Sequence, residues 1–206
     1  MRDSDRAYNA ILDQLAYGKL KCGEAIDDEA LQAEIGVGKT PLREALFRLV
    51  QDGYITSGPR RGMFVTAFDL GQLESLLEIR TILTGYLSQQ LIHNARDKDI
   101  ERCEAEMIQL IGSGGTRSVE DAFRADRRYH DMLGELCGDK ILSGILSKLE
   151  FMSSMALAPR SRHYYINEKA VKEEYLDTFR HLKARDAEAL EATLKKHIPR
   201  YILQRI

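Results

Sequence analysis

From Asp69 to the C-terminus nearly every stretch of the chain carries apolar residues three and four apart, the spacing that lines one face of an α-helix. The pattern breaks at residues 95–98, 112–118, 138–139, 158–167 and 185–186. Six helices result. An apolar stripe on each needs other stripes to cover it, so the expected architecture is an all-α bundle of six or seven helices over residues 69–206.

Residues 1–66 read differently. Ala7, Ile11, Leu12 and Leu15 mark one face of a first helix ending near Gly18. A short second helix over Asp28–Ile35 has Asp28 as its cap and Gly36 to close it. Leu42, Ala45, Leu46, Leu49 and Val50 mark a third over residues 40–51, stopped by Gly53. Two β-prone runs follow, "YITSG" and "GMFVT", around the turn "GPRR". Helix, tight turn, helix and small hairpin make a winged helix-turn-helix. The second helix braces the third, whose polar side suits a DNA major groove about as wide as a helix.

The formal net charge of −2 excludes a uniformly basic coat, so any contact with nucleic acid has to be local. Residues 36–62 hold five Lys or Arg against two Asp or Glu, whereas residues 1–66 hold nine against ten. The basic charge is thus focused on one face. Lys39, Thr40, Arg43 and Arg48 fall on the polar side of the third helix, and Arg60 and Arg61 crown the hairpin. Arg48, late in the helix, is read as pairing with Asp52 four residues on. Thr40 either caps the helix ahead of Pro41 or bonds a phosphate.

The stretch "AEIGVGKTPLREAL" also fits a loose phosphate-binding loop through Gly38, Lys39 and Thr40. No apolar strand leads into it, and Pro41 removes one of the N–H donors that such a loop uses. Three widely spaced cysteines with no paired-ligand pattern suit a reducing compartment. No apolar run approaches the roughly 18 residues of a membrane span, and the first residues are polar, so the expected location is the cytoplasm.

The run "GVGKTPLREALFRLVQDGYITSGPRRGMFV" resembles the DNA-binding domain of the GntR family of bacterial transcriptional regulators. The resemblance implies DNA contacts by Lys39, Thr40 and Arg43 and by the wing tip at Arg61 and Gly62. Gly38 stands where the family has Ser or Thr, and Lys39 where it has Arg. A phosphate contact is thereby lost, and lysine lacks arginine's two-pronged grip on guanine.

In the second half, polar residues fall on the apolar stripes. Arg80 lies in a row with Leu73, Leu76, Leu83 and Leu87, and a buried guanidinium needs an anionic partner. That partner is either an acidic residue of another helix or the carboxylate of a ligand. Asp126 and His130 are four apart beside Phe123, Tyr129 and Leu133; His197 shares a row with Leu190, Leu194 and Tyr201; Tyr175 shares one with Val171, Phe179 and Leu182. Asp126, His130 and His197 make either a partial site for a divalent metal or a hydrogen-bonded group within a core.

The segments at residues 78–80, 125–130 and 184–189, "EIR", "ADRRYH" and "ARDAEA", resemble the FCD effector-binding domain of the FadR subgroup of these regulators. The resemblance implies a helical bundle that binds small carboxylates, often with one metal such as Zn, Ni or Mn. The family's ligands match Asp126, His130 and His197. The fourth, a histidine twenty-two residues before the last, falls on Tyr175. A neutral phenol is a poor zinc ligand, so Tyr175 is assigned with Arg80 to the effector. His93, His163 and His181 match no ligand position. The expectation is a homodimeric repressor whose affinity for a two-fold DNA operator is set by a carboxylate metabolite. The alternative is a metal-dependent enzyme centred on Asp126, His130 and His197, which lacks an accompanying base or nucleophile in a recognisable motif.

Overall fold

The computed structural model describes residues 1–58, 62–112, 118–166 and 168–198. Arg60, Arg61 and Tyr201, and the side chain of His163, lie outside this description. Packing of the backbone divides the chain into two compact units, Met1–Leu70 with Ser154–Pro159, and Gly71–Ser153 with Arg160–Ile206.

The first unit begins with helices α1 (Asp3–Ala16), α2 (Asp28–Ile35) and α3 (Lys39–Asp52). Ala7, Ile11 and Leu15 of α1 and Leu42, Ala45, Leu46 and Leu49 of α3 are almost wholly removed from solvent, so the inward stripes read from the sequence form this core. The cap of α2 is Asp27 rather than Asp28: its carboxylate accepts from the N–H groups of Glu29 and Ala30 at 3.0 Å each. Both aspartates suit a helix start, and the backbone selects the one that is still extended. Gly36 (φ 69°) and Gly53 (φ 83°) end α2 and α3 in the left-handed conformation.

Arg48 does not pair with Asp52. It donates to Asp5 of α1 at 2.8 Å and lies over the Tyr8 ring, while the Tyr8 hydroxyl donates to Asp52 at 2.6 Å. These contacts bind α1 to α3 across more than forty residues of sequence. Strands β1 (Ile55–Gly58) and β2 (Gly62–Val65) pair antiparallel, with Ile55 opposite Val65 and Gly58 opposite Gly62. Gly62 is exposed at φ 84°, a conformation that disfavours any side chain.

Six further helices follow among the described residues: α4 (Leu70–Asn94), α5 (Asp97–Gly112), α6 (Val119–Cys137), α7 (Lys140–Ile166), α8 (Glu168–Ala184) and α9 (Ala187–Lys196). The structure is mainly α, as expected. Leu91, Ile100, Met107, Tyr129, Phe179 and Leu190 lie in one buried cluster. The breaks have local causes. Gly138 ends α6 at φ 70°, and Asp139 then caps α7 by accepting from Ile141 and Leu142 at 2.9 and 3.0 Å. Between α8 and α9 Arg185 adopts φ 55°, and Asp186 caps α9 through the Ala189 N–H at 3.0 Å. The Arg185 guanidinium is held by the Ala95 carbonyl at 2.8 Å and by Asp97.

The break expected over residues 158–167 is not found where the backbone is described, since α7 continues to Ile166. Loss of an apolar stripe removes a packing surface, but a helix already nucleated extends one hydrogen bond at a time without one.

Candidate functional site

Two groups of polar residues invite a functional reading. The first lies on α3. This helix begins at Lys39, and its N-cap, Gly38, has no side chain to satisfy the first N–H groups. Thr40 does not cap: it is already inside the helix, one residue past Lys39. Lys39, Thr40 and Arg43 are exposed, with no ion pair or side-chain hydrogen bond among the described residues. Arg48 is turned away to Asp5 and Tyr8. The exposed face therefore presents two cations, a hydroxyl and an open helix N-terminus with its partial positive charge.

The second group lies inside the other unit. Asp126 and His130 come from α6, Tyr175 from α8 and His197 from the residue just past α9. Asp126 Oδ1 accepts from the Tyr175 hydroxyl at 2.8 Å and lies 3.0 Å from His197 Nε2 and 4.0 Å from His130 Nε2. Ligand atoms of Asp126, His130 and His197 all fall within 4.8 Å of one another. The other ring nitrogens are engaged too. His130 Nδ1 is 3.2 Å from Glu150 of α7, and His197 Nδ1 is 3.2 Å from Glu174 of α8, which Lys196 approaches to 3.3 Å. Both imidazoles thus turn one nitrogen to Asp126 and the other to a glutamate, the arrangement by which outer carboxylates orient histidines toward a metal.

Charge is divided unevenly within this group. Burial opposes a charge on His197, but hydrogen bonds to Asp126 and Glu174 outweigh it and raise the imidazole to about 9. Burial alone would raise the Asp126 carboxyl; the hydrogen bond from His197 and the charge of that imidazole bring it well below the usual range. His130 is driven down to about 3, chiefly by burial, against the pull of Asp126. Burial also lifts the Glu150 carboxyl well above its ordinary range. One histidine is therefore held as a cation between two carboxylates, and the other is kept neutral.

Arg80 is 6% exposed, and its Nη1 donates to Ser153 Oγ at 2.7 Å. No carboxylate lies within ion-pair distance of it among the described residues, although its charge opposes protonation of His130. Glu150 and Glu174 escaped the sequence reading. Glu150 stands in the otherwise weakly charged run "ILSKLEFMSSMALA", and Glu174 lies three residues after Val171 on the α8 stripe. An acidic residue on an apolar face was the available signal.

A winged helix-turn-helix and a helical bundle holding a carboxylate–imidazole group define a class of regulatory protein. Residues 3–65 match the description "Bacterial regulatory proteins, gntR family", and residues 75–200 match "FCD domain". The chain belongs to the GntR family of bacterial regulatory proteins and carries an FCD domain. It is 27% identical over 128 residues to an HTH-type transcriptional regulator of Mycobacterium tuberculosis, covering 62% of this chain and 52% of that one. The match thus spans about half the length of that relative. It is 18% identical over 202 residues to the HTH-type transcriptional repressor RspR of Escherichia coli, covering 95% of this chain and 85% of RspR. The solved structure of E. coli McbR/YncC shares the fold, with a TM-score of 0.77 at 22% identity over 100% of this chain and 95% of that one. The relatives that match are named as transcriptional regulators, which does not favour the enzyme reading of Asp126, His130 and His197. No helix among the described residues is long and apolar enough to cross a membrane.

Proposed function

We propose that the chain is a cytoplasmic transcriptional repressor of the FadR subgroup, a homodimer that binds a two-fold DNA operator with an affinity controlled by a small carboxylate. Residues 1–66 form the DNA-binding domain and residues 69–206 the effector-binding and dimerisation domain. The observation that carries this reading is the face of α3, where Lys39, Thr40 and Arg43 stand exposed at an uncapped helix start. Gly62, Arg60 and Arg61 complete the DNA contact in the wing, Arg61 and Gly62 on the strength of the family resemblance and Arg60 as the neighbouring cation in the sequence. Repression is supported by RspR, whose name describes that protein as a repressor.

The second copy is supported by α4, where Ile79, Ile82 and Tyr86 are exposed at three- and four-residue spacing and residues 81–95 contain no Lys, Arg, Asp or Glu. An apolar face of this kind is a surface to be covered. Arg80 is the anchor for the effector carboxylate, since it is buried, donates to a serine and forms no direct ion pair among the described residues, Glu150 acting on it only from a distance. Tyr175 serves the effector through its hydroxyl. Asp126, His130 and His197 are the residues that would hold a divalent metal, Zn, Ni or Mn, and the orienting contacts from Glu150 and Glu174 favour that fit. Such an ion would supply a Lewis-acidic docking point for a carboxylate oxygen.

Titration with duplex DNA at several salt concentrations tests the first half of this reading. Affinity should fall linearly on a log–log plot as phosphate contacts release counterions. A salt-independent or undetectable affinity would sink it. Calorimetry with small carboxylates tests the second half: Arg80→Ala should lose effector affinity after correction for the folded fraction.

A further inference from the structure

We propose that Phe47 reads sequence, its ring packing on the C5 methyl group of a thymine in the major groove; the inference rests on the DNA-binding reading above. Phe47 is 58% exposed, although α3 buries Leu42, Ala45, Leu46 and Leu49 almost completely. The inward stripe is complete without it. Between Met1 at the terminus and Leu70, it is the only large apolar side chain exposed among the described residues of the first unit.

Its position on the helix gives the exposure a purpose. Seven residues are nearly two turns, so Phe47 projects within about 20° of Thr40, and it follows Arg43 by four residues on the same side. It therefore shares the sector of the cationic face and lies about 10 Å along the axis from Thr40, roughly three base-pair steps. Lys39 and Arg43 would repel the same face of a second copy, which argues against self-association here, and they would attract a phosphate backbone. A phenyl ring has no donor or acceptor for a base edge. Thymine is the base that offers an apolar group in the major groove, its methyl.

The test begins with duplexes selected from a random library by the wild-type chain. Each thymine of the selected site is then replaced in turn by uracil, which lacks only the methyl. At one position in each half-site the wild type should weaken by about fourfold, the factor expected for one buried methyl group. Phe47→Ala should bind the thymine and uracil duplexes alike while keeping the wild-type salt slope, and Phe47→Leu should retain part of the discrimination. Equal thymine-to-uracil ratios for wild type and Phe47→Ala at every position overturn the assignment. So does a change of oligomeric state in Phe47→Ala without a change of base preference. If the wild type selects no duplex and shows no salt slope, the DNA-binding reading itself fails, and that outcome is distinguishable from the other two.

Discussion

The polar face of α3 and the buried group around Asp126 treat their side chains in opposite ways. Lys39, Thr40 and Arg43 stand in solvent with no partner among the described residues, whereas Asp126, Tyr175, His197 and Glu174 are hydrogen-bonded to one another. On α3, whatever binds adds contacts where there were none. Around Asp126 a newcomer has to displace a bond that already exists. Substitutions on the first surface should therefore change binding without touching stability, and substitutions in the second should register in stability first.

The largest expected effect is that of Asp126→Ala, which leaves a buried His197 cation with one carboxylate in place of two. Breaking a buried pair from one side costs about 3–5 kcal/mol, so urea unfolding of the metal-free chain should show a drop of that size. A loss below about 1 kcal/mol, the range of exposed pairs, would remove the contrast between the regions. Arg43→Ala comes next. It should weaken a selected operator by about 1–3 kcal/mol for each lost base contact and leave the unfolding midpoint unchanged. Equal operator affinity in a gel-shift titration would show that the α3 face is idle.

Tyr175→His probes the crossing from one behaviour to the other. It replaces a phenol that donates to Asp126 with an imidazole, and metal retained after dialysis should rise by about tenfold or more, the scale on which even outer partners tune metal affinity. For wild type and variant alike, uptake should be greater at pH 8 than at pH 6. His197 holds its proton up to about 9 and must release it to coordinate, so every step down in pH favours the proton over the metal. Equal uptake at the two values would exclude His197 as a ligand. The smallest effect is that of Arg48→Ala: the pair with Asp5 and the contact with Tyr8 are partly solvent-exposed and screened, so urea unfolding should shift less than for Asp126→Ala.

What could be read from the sequence follows from how local each feature is. Glycines at 36, 53 and 138 and the aspartate at 186 stop or start helices through contacts within a few residues, and those boundaries are legible. The true partner of Arg48, Asp5, is forty-three residues away, and the nearer acid at helical spacing, Asp52, masks it in the sequence. The convergence of Asp126, His130, Tyr175 and His197 was legible from their places on apolar stripes. Glu150 and Glu174 show in the sequence only as acids on apolar stripes; that they turn the imidazoles depends on how the helices pack. The continuation of α7 past residue 158 was missed because packing, rather than hydrogen bonding, leaves its trace in composition.

His197 sits at the frayed end of α9. Its own N–H reaches Thr193 at 3.2 Å, that of Ile198 reaches Lys195 at 3.2 Å, and its ring carries a positive charge where the carbonyl end of the helix is negative. A doubly charged ion bound in place of that proton would grip the same terminus harder. Occupancy deep in the bundle would then be legible in deuterium uptake, as slowed labelling of the amides of His197 and Ile198, two positions that need not touch the effector at all.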